Sequence, residues 1–275
     1  MTQTPPLVPL VLRQDTNTVE GRAVAQAAML LDIPLVRVAF EGLAEHREKL
    51  AAGALPVGSV EFVREAMRVA SLPEPEPLTY PKELDALLGR RIDLMPLERV
   101  RGTVFVKPAQ TKLFTGFVWR EAASDAEYDE HDLEQLRSLR ALPGHTQVWV
   151  SQPVRFDCEW RYYVLHDKVI GAARYDPDGH EDAPAPDAQV LQSAVAAMAA
   201  ADNAPAAYAV DLGVLDSGVT VCVEVNDGWA LGLYGRSLDS KDYLRFLGAR
   251  WNQVRDQSAR EAPAAKAVSS QGLRP

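Results

Sequence analysis

Residues 220–235, TVCVEVNDGWALGLYG, open as an apolar run and then turn abruptly polar. Val219, Val221 and Val223 alternate with Thr220 and Cys222, which is the pattern of a strand. Glu224 and Asn226 follow two residues apart, and side chains so spaced on a strand point to the same side. Upstream, Asp211 sits inside a second apolar run, AAYAVDLGVLDSG at 206–218. Asp216-Ser217-Gly218 is turn chemistry that would fold the two runs into a hairpin. That hairpin would bring Asp211, Glu224 and Asn226 to one spot. Two carboxylates and an amide oxygen are hard donors, suited to magnesium held together with waters and phosphate oxygens. A lone Glu-x-Asn also suits a hairpin whose acids merely face water, so the flanking sequence has to decide.

Moving toward the N-terminus, residues 188–202 are an alanine-rich helix, and EWRYYVLHDKVIGAARYD (159–176) reads as a hairpin with a tight turn at Asp167-Lys168. Arg161 and Arg174 lie on its strands among Trp160, Tyr162, Tyr163 and Ala173. Partly buried arginines there ask for an anionic partner, a ligand or a structural carboxylate. Before it come the strand TQVWVSQPV (146–154), a helix over 129–140, and TVFVKPAQTKLFTGFVWR (103–120). The last of these holds two β-rich runs joined by a loop with Lys107, Lys112 and Gly116. A short helix is expected over 82–88. The proline-rich segment 72–81, LPEPEPLTYP, reads as a linker or extended crossover.

The first unit shows strand–helix–strand order: a strand at 7–14, a helix over 19–31 capped by Thr18, and a strand at 35–40. A second helix starts after Ser59. At the other end a helix from 240 to about 254 leads to an Ala- and Ser-rich tail, read as disordered from residue 257. The expected division is a small α/β domain over 1–80, one lobe over 81–150, a second over 151–256, and the tail over 257–275.

The chain has 275 residues, enough for one large core or two to three small ones. Its net charge of −9 argues against a general nucleic-acid binder, while leaving room for local basic clusters around an anionic ligand. Two cysteines in separate segments suggest neither a disulfide framework nor a zinc site. No apolar run approaches the roughly 20 residues that span a bilayer, and the first residues do not read as a signal peptide. A cytoplasmic protein with small-molecule partners, and without nucleic-acid or membrane partners, is the expectation; the oligomeric state is not readable.

Taken in order, these pieces resemble the ATP-grasp superfamily. Its hallmark is an Asp on one strand with Glu-x-Asn about a dozen residues on, matched by Asp211, Glu224 and Asn226. A lysine-bearing hairpin with a glycine loop precedes them, matched from Lys107 to Gly116. A hinge strand with a ribose-binding acid seven residues later is matched by VSQPVRFDCEWR, with Gln152 to Val154 as hinge and Glu159 as the acid. Two lysines in KPAQTKLFTG and Arg161 look most like the clade named for one arginine and two lysines. The resemblance covers roughly residues 100–250 and implies an α+β fold, two α/β lobes preceded by a small Rossmann-like domain.

It further implies ATP and Mg2+ as cofactors. Asp211, Glu224 and Asn226 would hold the metal. Lys107, Lys112, Gln152, Val154, Glu159 and Arg161 would bind the nucleotide, with Lys112, Arg161 and Arg174 serving catalysis. The implied reaction is ADP-forming ligation of a carboxylate to an amine through an acyl phosphate, on an amino acid or peptide. One position departs from the pattern: many such ligases carry an arginine two residues before the metal-binding Asp, and here that residue is Ala209. Either Arg174 or Arg161 supplies the charge, or the acceptor is not a simple amino acid. Phosphotransfer without ligation, and a non-catalytic nucleotide-binding module, are the competing expectations.

Overall fold

The N-terminal unit is a three-stranded parallel sheet of order β2-β1-β3, built from β1 (Val11–Gln14), β2 (Leu35–Val38) and β3 (Leu55–Val57). Helix α1 (Val19–Leu30) connects the first two strands, capped by Thr18, whose hydroxyl accepts from the Gly21 amide at 3.0 Å. A short helix α2 (Arg47–Ala51) and β3 complete the unit before α3 (Val60–Ala70), which Ser59 caps in the same way. The computed structural model describes residues 7–110, 113–174 and 184–271, with 261–271 described by backbone alone. Lys112 therefore lies outside the described residues.

The next sheet is antiparallel, of order β4-β7-β5-β6: β4 (Ile92–Pro96), β5 (Thr103–Pro108), β6 (Phe117–Arg120) and β7 (Gln147–Ser151). Helix α4 (Glu130–Arg140) packs Leu136 and Leu139 against Val106, Phe117 and Val148 on one face of it. The third sheet, also antiparallel, has order β11-β10-β8-β9, from β8 (Phe156–Leu165), β9 (Lys168–Arg174), β10 (Ala207–Leu215) and β11 (Thr220–Asp227). Helix α5 (Ala188–Ala199) covers one face and α6 (Ser240–Gln271) the other. Strand β10 is buried on both faces, which is why its sequence runs apolar without alternation.

Two details differ from the sequence reading. The β8–β9 turn falls one residue earlier, at His166 and Asp167, both with positive φ (46° and 60°), so that Lys168 already begins β9. Two consecutive left-handed residues make the primed turn that matches strand twist, and Asp tolerates that conformation better than most. The C-terminal helix runs on past residue 254. Its backbone stays helical to Gln271, in keeping with the high helix propensity of the alanines spread through 257–271. Among the described residues no helix is long and apolar enough to cross a membrane.

The apolar core is continuous from β1 and α1 through Trp251 and Phe246 of α6 to Tyr163 and Ala209 on the third sheet. The second and third sheets face each other across a cleft of about 860 Å³.

Candidate active site

Cross-strand register assembles the acidic cluster. Asp211 on β10 pairs with Glu224 on β11 and with Arg161 on β8, and Ala209, two residues earlier, pairs with Asn226 and Tyr163. Directly paired residues share a sheet face. Asp211, Glu224, Asn226 and Arg161 therefore lie on one side. The Asn226 amide nitrogen stands 2.9 Å from Asp211 Oδ2 and 3.0 Å from Glu224 Oε1. Two carboxylate oxygens thus converge on one point, which is what a divalent cation needs. Glu224 also forms an ion pair with Lys107, reaching across the cleft from β5.

This donor set fits magnesium. The two acids are oxygen donors of the right hardness, as is the Asn226 amide once its oxygen replaces its nitrogen between them, and three are too few for a cage, so waters and phosphate oxygens would complete the shell. Among the described residues no group of three or more His, Cys, Asp or Glu side chains forms a metal cluster.

Asp211 is fully buried, and Arg161 meets it side-on, Nε to Oδ1 at 2.8 Å and Nη2 to Oδ2 at 2.6 Å. Such a bidentate fork fixes the carboxylate in orientation as well as charge. The Arg161 guanidinium also lies 5.0 Å from the Tyr234 ring centroid. Arg161, expected on the phosphates, is thus engaged with the Asp211 carboxylate; a buried cation needs its counter-charge close by.

Arg174 is a correction. It pairs with Trp160, in the same row as Leu212, whose side chains pack on the opposite face among Val210 and Cys222. Strand alternation turns Arg174 away from Asp211. It is not among the residues that line the cleft.

Lys107 sits where the second and third sheets approach each other. Burial lowers its pKa to about 8, with Asp211 pulling the other way, and its ammonium lies 5.9 Å from the Tyr80 ring centroid. The cleft beside it is lined by Phe105, Gly116, Val154, Phe156 and Glu159. At the hinge, Val154 and Glu159 face the cleft, whereas Gln152 is exposed and its carbonyl accepts from the Ser151 hydroxyl at 3.1 Å. Pro153 has no N–H, so a main-chain donor at the hinge must come from a neighbour. The Thr115 amide donates to Gln135 Oε1 at 2.7 Å, tying the end of the glycine loop to α4.

Tyr80 and Arg90 also line the cleft, and the sequence reading passed over both. They stand at the ends of what looked like linker and short helix. The available signal was the Gly89-Arg90-Arg91 triplet set directly before a strand.

Residues 87–246 match the ATP-grasp domain, family 2 of the clade named for one arginine and two lysines. No curated protein matches the chain's sequence at a significant level. Among solved structures, the D-cycloserine synthetase DcsG superposes with a TM-score of 0.56 at 17% identity, over 89% of this chain and 99% of its own. A carboxyaminoimidazole ribonucleotide synthase from Aspergillus clavatus, complexed with ATP, gives 0.54 at 13% identity, over 88% and 77%. An L-amino acid ligase from Bacillus licheniformis gives 0.54 at 12%, over 87% and 75%. These likenesses are of fold. With the family match spanning more than half of its length, the chain belongs to the ATP-grasp domain family, in the one-arginine, two-lysine clade.

Proposed function

We propose that the protein is an ATP-dependent ligase that joins a carboxylate to an amine through an acyl phosphate, with an amino acid or peptide as one substrate. The observation that carries this reading is the convergence of Asp211, Glu224 and Asn226 opposite Lys107, at the edge of a cleft large enough for a nucleotide. The fold neighbours named as synthetases and ligases support it by analogy. Val154 and Phe156 would pack the adenine, and Glu159 would accept from the ribose hydroxyls. Lys107 would leave Glu224 for the phosphates, while Asp211, held by Arg161, and Glu224 and Asn226 would be the ligands of magnesium. The metal, when bound, supplies charge neutralisation on the phosphate oxygens.

In the first half-reaction a substrate carboxylate oxygen attacks the γ-phosphorus and ADP departs. In the second an amine attacks the acyl carbon, phosphate leaves, and the amine proton goes to solvent or a base. Such chemistry asks the protein for positioning and charge, not for a covalent nucleophile. Leu113 to Gly116, lining the cleft mouth, would exclude water from the acyl phosphate.

A second reading, phosphotransfer without ligation, is favoured by Ala209 together with Arg174 on the far face of the sheet. Neither position offers an arginine to hold an acyl phosphate. One experiment separates the two: mass spectrometry of products after incubation with ATP, magnesium and a mixed amino-acid pool. An adduct lighter than its two parents by one water, formed with ADP, is the expected result. ADP release with a phosphorylated single acceptor would establish the second reading. Magnesium-dependent ATP binding without turnover would leave a nucleotide-binding module.

A further inference from the structure

Strand β11 carries one residue more than its partner at the point that matters. Asp211 faces Glu224, but Leu212 faces Cys222, so Val223 is the extra residue of a β-bulge. The bulge resolves a conflict in the sequence. Cys222 and Glu224 are two apart and would share a face on a regular strand. Here Cys222 packs into the core on the far side with Val210 and Leu212, while Glu224 turns to the cleft.

A bulge leaves main-chain groups outside the ladder, and among the described residues β11 is an edge strand with no further strand to take them. Arg90 takes them. Its Nη1 donates to the Cys222 carbonyl and its Nη2 to the Val223 carbonyl, both at 3.2 Å, and Nη1 also reaches the Leu88 carbonyl at 2.9 Å. Gly89 makes the approach possible. Its φ is +63°, and a Cβ there would run into Cγ1 of Val221. The Arg90 guanidinium lies 5.9 Å from the Phe156 ring centroid, so one side chain joins the bulge to the hinge.

We infer that Gly89 and Arg90 form a hook that locks the Val223 bulge and so aims the Glu224 carboxylate, making Arg90 a positioning residue for the metal site. The inference rests on the proposed ATP–magnesium function. It assigns Arg90 no contact with the phosphates. Its action passes through the backbone of Cys222 and Val223 to the next residue in the chain.

The test is nucleotide affinity by calorimetry with and without magnesium, for the wild type, Arg90→Ala and Arg90→Gln, with thermal melts to establish folding. Supporting groups behind a metal ligand typically change metal affinity by about 10–100-fold when removed. The expected result is that magnesium strengthens ATP binding to the wild type, and that Arg90→Ala loses this enhancement by about ten-fold or more, a loss larger than any change in its magnesium-free affinity. Arg90→Gln keeps one amide donor, should retain part of the enhancement, and serves as the second variant should alanine not fold. Enhancement undiminished in both variants overturns the hook. A magnesium-free affinity that falls in step also overturns it, because Arg90 would then be touching the nucleotide. A wild type with no magnesium enhancement refutes the proposed function itself, an outcome distinct from either.

Discussion

The two sheets that flank the cleft differ in how they are held. The β11-β10-β8-β9 sheet is covered on both faces, by the core shared with α1 and α6 on one side and by α5 on the other. The β4-β7-β5-β6 sheet packs its core with α4 on one face only, and part of its other face is cleft. The acids sit on the first and Lys107 on the second. The anionic half of the site is thus seated on a doubly buried strand, and the cationic half on a sheet packed on one face. Local stability follows burial, so the difference has measurable consequences.

The largest is at Asp211. Replacing it by Asn leaves the Arg161 guanidinium buried without its counter-charge, and breaking a buried pair from one side costs about 3–5 kcal/mol. Chemical denaturation should show that loss, and a loss under about 1 kcal/mol would mean that the doubly covered sheet is softer than its burial indicates. Lys107→Met removes a charge from the other sheet. It is expected to leave the melting temperature nearly unchanged while weakening ATP binding by roughly 10–100-fold, the worth of a charge-assisted contact to phosphate. Calorimetric affinities equal to the wild type would place the nucleotide elsewhere. Hydrogen exchange sharpens the contrast further: amides of β10 should open only with global unfolding, and those of β6 well before it. Equal protection in the two strands would erase the distinction between the lobes. The smallest signal is chemical. Burial pushes the Cys222 thiol up to about 12, and Cys158 is buried too, so native protein at pH 8 should resist alkylation until denatured. Mass spectrometry of alkylated native protein checks it, and rapid labelling would show the sheet breathing.

Much of the arrangement could be read from residues alone. The Asp211–Glu224–Asn226 row followed from apolar runs, a turn triplet and the two-residue repeat of a strand, all of them local signals. The helix caps at Thr18 and Ser59 were equally local. What escaped notice depends on which strand lies beside which. Sequence shows that Arg161 and Arg174 are on a hairpin, but only the pairing of β8 with β10 sets Arg161 against Asp211 and turns Arg174 to the far side. The Val223 bulge was hidden for a related reason: it is a property of the pair, defined by the partner having one residue fewer. Tyr80 was read as part of a linker and Arg90 was passed over, since what they do appears only once β11 is known to be at an edge.

That edge has a further consequence. An uncovered terminal strand is a template on which a foreign chain can add itself, and proteins often blunt it with lysine or proline. A strand that must present Glu224 and Asn226 in register has little freedom to do so. Here the segment around residues 79–90 does the shielding instead: the Val225 amide donates to the Thr79 carbonyl at 3.0 Å, and Arg90 occupies the carbonyls nearby. Loosening that strap by substitution would offer a ready docking rail for self-association, so the same few contacts guard against aggregation.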